Sequence, residues 1–126
     1  MKILDTNAVL RFLLGDNVEQ KKIVLAELEC NKCLVTIEVV AEAVYVLNKV
    51  YFAKRSEIKN YIEQIAAIDE NIISKRAVVF YALDVFSKTS LDFIDCLLVG
   101  YQQIEGYEIF TFDKKLNNLL NSLNSG

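Results

Sequence analysis

Four acidic residues, spread over most of the chain, carry the side-chain type that binds hard metal ions. They are Asp5, Glu42, Asp95 and Asp113. Asp5 directly follows a short β-like run at residues 2–4, and Asp113 directly follows residues 107–112, the most β-rich stretch. Carboxylates gathered in one cleft raise one another's pKa unless cations neutralise them, so a hard divalent ion such as Mg²⁺ is their natural occupant. Such an ion can activate water and stabilise the leaving group of an in-line displacement.

The composition narrows the chemistry further. The chain has no histidine, which excludes Ser–His and Cys–His nucleophile pairs and histidine acid/base catalysis. Any catalysis must therefore use carboxylates. The net charge of −3 gives no general attraction to nucleic acid, so a polyanionic partner would have to be attracted by local basic patches or bound cations.

Length and cysteine content indicate a single reduced domain. A chain of 126 residues with 53% hydrophobic content can bury a real core, and we expect one domain over residues 1–126. The sequence shows no export signal and no membrane span, so we expect a cytoplasmic protein. Cys30 and Cys33 have the spacing of half a zinc site, but with Cys96 as the one further thiol we expect reduced structural cysteines.

Short apolar runs alternate with helical periodicity along the chain. The predicted strands are residues 2–4, 33–36, 71–74 and 107–112. The predicted helices are residues 8–14, 18–29, 37–51, 56–67, 75–86, about 91–104 and 113–123, with Thr6 or Asn7 capping the first and Ser90 the sixth. Strands separated by helices predict an α/β fold, in which an open parallel sheet is covered by helices on both faces.

In such a sheet the functional crevice lies at the carboxyl ends of the strands. If the strands that precede them are parallel neighbours, Asp5 and Asp113 emerge at one edge of the sheet. An aspartate between a strand and a helix is, however, very often only a helix N-cap. Both interpretations stay open for these two acids.

The two acids within helices also have alternative explanations. Glu42 shares a helix face with Glu38, Tyr45 and Lys49, which is equally typical of a solvated surface. Asp95 is expected in the second turn of its helix, on a face less polar than a solvated aspartate would favour. Asp92 lies closer to the start of that helix, where a negative charge is favourable.

Four segments, taken in order, resemble the PIN-domain family, and within it the small VapC-like ribonucleases of toxin–antitoxin pairs. They are LDTN at residues 4–7 followed by LRFL at 10–13, AEAVYVL at 41–47, LDFIDCLL at 91–98 and FTFDKK at 110–115. The resemblance covers nearly the whole chain. It implies a three-layer α/β/α sandwich with a four- to five-stranded parallel sheet, although no fifth strand is evident after the last helix.

The resemblance places the family's acidic site on the same four acids. It implies that Asp5 and Asp95 are the main ligands of Mg²⁺ or Mn²⁺, and that Glu42 and Asp113 complete the site or orient the attacking water. Around them it implies supporting residues, namely Thr6, Asn7 and Thr111, with Asp92 as a possible further member. For substrate contact the sequence itself offers basic residues, of which we select Arg11, Lys114 and Lys115; the two lysines directly follow a site acid and are best placed to reach phosphate.

The function implied by the resemblance is a metal-dependent endoribonuclease that is neutralised by a cognate antitoxin protein and forms a homodimer. Two other classes remain. A catalytically silent PIN-like scaffold would carry the same acids without cleaving RNA. A phosphoacceptor signalling domain has a similar length and an acidic pocket, but the second predicted strand, residues 33–36, ends without an acid.

Overall fold

A computed structural model describes residues 1–124 and divides the chain into two compact units, residues 1–75 and a second unit that begins at Arg76. The first unit contains two short strands and four helices. They are β1 (Lys2–Ile3), α1 (Thr6–Leu14), α2 (Val18–Cys30), β2 (Cys33–Leu34), α3 (Ile37–Lys49) and α4 (Arg55–Ala66). The second unit contains α5 (Arg76–Lys88), α6 (Phe93–Glu105) and α7 (Lys114–Asn124). None of the helices in residues 1–124 is both long and apolar enough to cross a bilayer.

The strands of the first unit are parallel, as predicted. β1 pairs with β2, with Lys2 opposite Cys33 and Ile3 opposite Leu34. A parallel bridge joins Val35 to Ile73 and extends the arrangement by one segment. The helix α1 packs against α2, α3 and α4, so a buried layer that includes Val9, Leu47 and Ile58 forms around it.

Local capping explains where the helices of the first unit begin. The Asn17 side chain accepts a hydrogen bond from the Gln20 backbone N–H at 3.0 Å, and Thr36 accepts one from the Val39 N–H at 3.3 Å. Each satisfies a backbone donor that has no partner within the first turn of its helix. At the other end of α1, Gly15 adopts the left-handed conformation (φ 63°) that terminates a helix.

In the second unit, α5 and α6 approach each other closely at Gly100. A Cβ atom at this position would lie 2.8 Å from the backbone oxygen of Val78, so only glycine fits without a shift of the helices. At the other end of this helix pair, the rings of Phe86 and Phe93 pack edge to face with centroids 5.7 Å apart. The helix α6 ends at Gly106, whose φ of 76° is left-handed.

All seven predicted helices are present, but two of the predicted caps are wrong. The cap of α1 is Asp5, whereas Thr6 and Asn7, the predicted caps, are the first two residues of the helix. The N-cap of α6 is Asp92 instead of Ser90, which moves Asp95 into the first turn of α6. In both cases the carboxylate residue takes the extended conformation required of an N-cap.

The predicted sheet is confirmed only in part. The described residues form a two-stranded parallel sheet, and four or five strands are not confirmed. Residues 71–74 contribute the single bridge at Ile73, and residues 107–112 carry no regular secondary structure. The rings of Phe110 and Phe112, 88% and 91% exposed, stack edge to face on each other with centroids 5.3 Å apart. Residues of high β-propensity form strands when their side chains pack on a half-buried sheet. The side chains of residues 107–112 pack on no sheet in the described part of the chain.

All three cysteines are free. Cys30 is exposed at the end of α2, whereas Cys33 and Cys96 are buried. The Cys33 thiol lies 3.8 Å from the backbone oxygen of Glu27. The two buried cysteines therefore serve as small core residues.

Candidate active site

Asp5 has a clear structural role. One of its carboxylate oxygens accepts a hydrogen bond from the backbone N–H of Ala8 at 2.8 Å, and the backbone oxygen of Asp5 accepts one from Val9 at 3.1 Å. The short strand β1 and the buried Leu4 fix the chain just before it. The side chain is nevertheless exposed. Asp5 thus caps α1 and still presents a carboxylate to solvent.

A pocket of about 280 Å³ adjoins Asp5. From the start of α1 it is lined by Asn7, Ala8 and Arg11, together with Asp5 itself. From α2 it is lined by Gln20, Ile23 and Val24. Three of the residues implicated by the sequence, Asp5, Asn7 and Arg11, therefore share one pocket. The three α2 residues were not predicted as site residues. The one feature of the sequence that groups them is a spacing of three and four positions, which places them on one face of a helix.

The Arg11 side chain on α1 is half-buried, and its guanidinium group pairs with Asp16. Its Nη1 atom lies 3.3 Å from Asp16 Oδ1, just beyond the end of the helix. Its Nε atom is buried and, among the described residues, has no hydrogen-bond partner. A buried donor without a partner is destabilising, so this guanidinium can gain from an added acceptor.

Glu42 lies on the exposed side of α3, the helix that packs against α1. Glu38, Tyr45 and Lys49, which share its helix face, are exposed as well. Val40, Ala43, Val44 and Leu47 form the opposite, buried face of the helix. The structure therefore confirms the predicted division of α3 into two faces and leaves the Glu42 carboxylate free for a solvent-accessible role.

In the second unit, three carboxylates interact. Asp95 is half-buried in the first turn of α6, next to the cap residue Asp92. Burial raises the pKa of Asp95, and the negative charges of Asp113 and then Asp92 raise that pKa further. Two of the four predicted site acids, Asp95 and Asp113, are thus electrostatic neighbours.

Asp113 and Thr111 form the hydrogen bonds that lead into the first turn of α7. The carboxylate of Asp113 accepts a hydrogen bond from the Leu116 N–H at 2.8 Å, and the Asp113 N–H donates to the Thr111 hydroxyl at 3.0 Å. Thr111 therefore positions the backbone of Asp113. The exposed side chains of Lys114 and Lys115 follow in the first turn of α7 and place positive charge beside this acid.

The donor chemistry of these residues fits a hard divalent ion in part. Carboxylate oxygens are the preferred ligands of Mg²⁺ and Mn²⁺, and the raised pKa of Asp95 shows negative charge that a cation would relieve. Within residues 1–124, no three histidine, cysteine, aspartate or glutamate side chains are grouped closely enough to hold a metal ion together. Electrostatic repulsion acts over longer distances than direct coordination, which reconciles the two observations.

Comparison with known proteins identifies related sequences. A family model described as PIN domain matches residues 2–119. A protein named VapC ribonuclease, from Aquifex aeolicus (strain VF5), is 30% identical over 124 residues, a match that spans 94% of this chain and 92% of that protein. No solved structure matches the chain significantly.

Proposed function

Since the chain belongs to the PIN-domain family, we propose that it is a metal-dependent endoribonuclease that hydrolyses RNA phosphodiester bonds as the toxin of a toxin–antitoxin pair. The observation that carries the proposal is the interacting pair Asp95 and Asp113, two acids of the expected set whose charges already oppose each other. The similarity to a protein named VapC ribonuclease over 94% of the chain supports the choice of RNA as substrate.

The proposed catalytic set is Asp5, Glu42, Asp95 and Asp113. In this proposal Asp5 and Asp95 are the principal ligands of Mg²⁺ or Mn²⁺, and Glu42 and Asp113 complete the coordination or orient the attacking water. A bound divalent ion supplies Lewis-acid activation of water and neutralises charge on the phosphate. The chain itself contributes oriented carboxylates, because Asp5 and Asp113 are each fixed by a backbone N–H at 2.8 Å.

The proposed supporting residues act through those acids. Thr111 holds the backbone of Asp113, and Asp92 adds negative charge near Asp95. Thr6 and Asn7 begin the helix that Asp5 caps. For substrate contact we propose Lys114 and Lys115, whose ammonium groups can pair with phosphate beside Asp113.

The proposal includes two protein partners. A cognate antitoxin would neutralise the enzyme, and a second copy of the chain would form a homodimer. Membership of the PIN-domain family supports both proposals. Coexpression with the protein encoded next to this one tests the first, and light scattering of the purified protein tests the second. The proposed location is the cytoplasm, where RNA and antitoxin are both present.

The test is RNA cleavage by the purified protein with Mg²⁺ or Mn²⁺, using several structured and unstructured RNAs. We expect cleavage that stops on addition of a chelator and in the variants Asp5→Asn and Asp95→Asn. Glu42→Gln is compared with Glu63→Gln, which removes an exposed acid of α4 outside the set. Full activity in Asp5→Asn, or no cleavage by the parent protein with either ion, would contradict the proposal. The second outcome would favour a catalytically silent binding domain.

A further inference from the structure

The pocket beside Asp5 is small and is lined by both apolar and polar side chains. At about 280 Å³ it lies near the lower end of ligand pockets, which begin at roughly 300 Å³, so it suits one ring system and little more. Its walls include the aliphatic side chains of Ala8, Ile23 and Val24. Ile23 is 64% exposed, so its side chain offers apolar surface that a ligand in the pocket can cover.

The polar side chains of the pocket can bind a planar ring in two ways, by hydrogen bonds to its edge and by stacking on its face. Asn7 and Gln20 each carry a carboxamide, which both donates and accepts hydrogen bonds. In the described part of the chain, neither carboxamide takes part in a hydrogen bond. The Arg11 guanidinium is planar and can stack on a ring, and ion pairing to Asp16 anchors it at one end.

The Arg11 guanidinium adds a further feature. Among residues 1–124 its buried Nε atom has no hydrogen-bond partner, and the Arg11 side chain lines the pocket. A ligand held in the pocket can therefore accept a hydrogen bond from this guanidinium. The same ligand would cover the exposed apolar surface of Ile23 and satisfy one or both carboxamides.

We propose that this pocket is a subsite for one unpaired nucleobase of the RNA substrate. Single-stranded RNA is recognised by stacking of splayed bases on planar or apolar side chains and by hydrogen bonds to their edges, and this pocket offers both. Because Asp5 lines the same pocket, a base held there brings its own nucleotide next to a proposed metal ligand. The inference rests on the proposed function, since that function supplies the RNA. It adds a residue set, on α1 and α2, that selects the base beside the cleaved bond.

The experiment uses the full chain, labelled with ¹⁵N, in buffer containing EDTA. The probes are the four 5′-nucleoside monophosphates, with ribose 5-phosphate as the base-free control and N-acetyl-leucinamide as an aliphatic control. We expect at least one nucleotide to shift the backbone amide signals of Asn7, Ala8, Gln20 and Ile23. Neither control should shift them at the same concentration.

Two variants test the pocket itself. Ala8→Leu fills it and should abolish the nucleotide-dependent shifts. Gln20→Ala removes one carboxamide and should weaken binding about 2–10-fold, the loss of one neutral hydrogen bond. Gln64→Ala, an exposed glutamine of α4, is the matched control and should bind as the parent does. If Ala8→Leu does not fold, Gln20→Ala still decides the question.

Three results would overturn the inference. Equal shifts with ribose 5-phosphate would show a phosphate site, equal shifts with N-acetyl-leucinamide would show a pocket for a protein side chain, and no shift with any nucleotide would show no base subsite. Cleavage of RNA is measured separately with Mg²⁺ or Mn²⁺. A protein that cleaves RNA without binding a base here contradicts only this inference. A protein that binds a base here without cleaving RNA contradicts the proposed function and the role of the pocket as a substrate subsite, while base binding by the pocket itself stands.

Discussion

Replacing Gly100 by alanine tests the close contact that positions α6. The added Cβ would lie 2.8 Å from the Val78 backbone oxygen and 3.2 Å from its Cγ1 atom, whereas ordinary contacts begin near 3.4 Å. The shorter distance is to backbone, so α5 and α6 must separate by several tenths of an ångström. Because Asp95 lies five positions earlier on α6, the same displacement would disturb the acid pair in this unit.

Two opposing effects set the magnitude. Overpacking a well-packed core costs about 1–3 kcal/mol, and alanine is favoured over glycine inside a helix by about 0.5–1 kcal/mol. The difference is a net loss of about 0–2.5 kcal/mol of unfolding free energy, with a central value of about 1 kcal/mol. For a chain of this size that corresponds to a melting temperature lower by about 3–6 °C for each kcal/mol.

The assay is urea and thermal unfolding followed by far-ultraviolet circular dichroism, since the chain has no tryptophan to report by fluorescence. Asn118→Ala on α7, an exposed helical site, is the control and should be neutral or slightly stabilising. A Gly100→Ala protein as stable as the parent would refute the reasoning.

Three further predictions concern the acids and the core. Asp95→Asn, measured in EDTA, should stabilise the protein at neutral pH. Because the pKa of Asp95 is raised in the folded state, this group stabilises the fold fully below the ordinary aspartate pKa and loses that contribution as the pH rises through the folded pKa. The stability gain of the variant should therefore vanish in acid. Unfolding curves at several pH values check this, and a gain that persists at low pH would contradict it. Asp5→Ala should lose about 1 kcal/mol through the missing cap, whereas Asp5→Asn keeps a capping oxygen and should retain stability while losing activity; equal stability of the two variants would argue against the cap. Leu47→Ala, at a fully buried position of α3, should cost about 2–5 kcal/mol in urea unfolding, and Leu25→Ala on α2, where the side chain is 36% exposed, should cost clearly less.

The helices could be predicted because their determinants are local. The Asn17 cap defines the start of α2, and amphipathic spacing together with the Thr36 cap defines α3. Both helices start where the sequence predicted. The cap errors at Asp5 and Asp92 show the remaining ambiguity. Where two or three polar residues stand in succession, their φ and ψ angles decide which one caps, and composition does not.

The sheet and the pocket depended on non-local contacts. A strand requires a partner strand, and the pattern of residues 107–112 contains no information on whether one is at hand. The gathering of Gln20 and Ile23 beside Asp5 required α1 to pack on α2, a tertiary contact that their spacing alone did not reveal. The negative charge of Asp113 raises the pKa of Asp95, but the grouping of all four acids around one ion stays a prediction.

The exposed rings of Phe110 and Phe112 have a consequence for the colloidal behaviour of the protein. Residues 107–112 form a short window of high β-propensity, the kind of segment that seeds intermolecular sheets when it is accessible. Charged residues interrupt or flank it, namely Glu108, Asp113, Lys114 and Lys115, and they act as gatekeepers against self-association. Since the isoelectric point of the chain is near 5.0, mildly acidic buffers remove the net repulsion that assists these gatekeepers. Solubility should therefore fall steeply as the pH approaches that value.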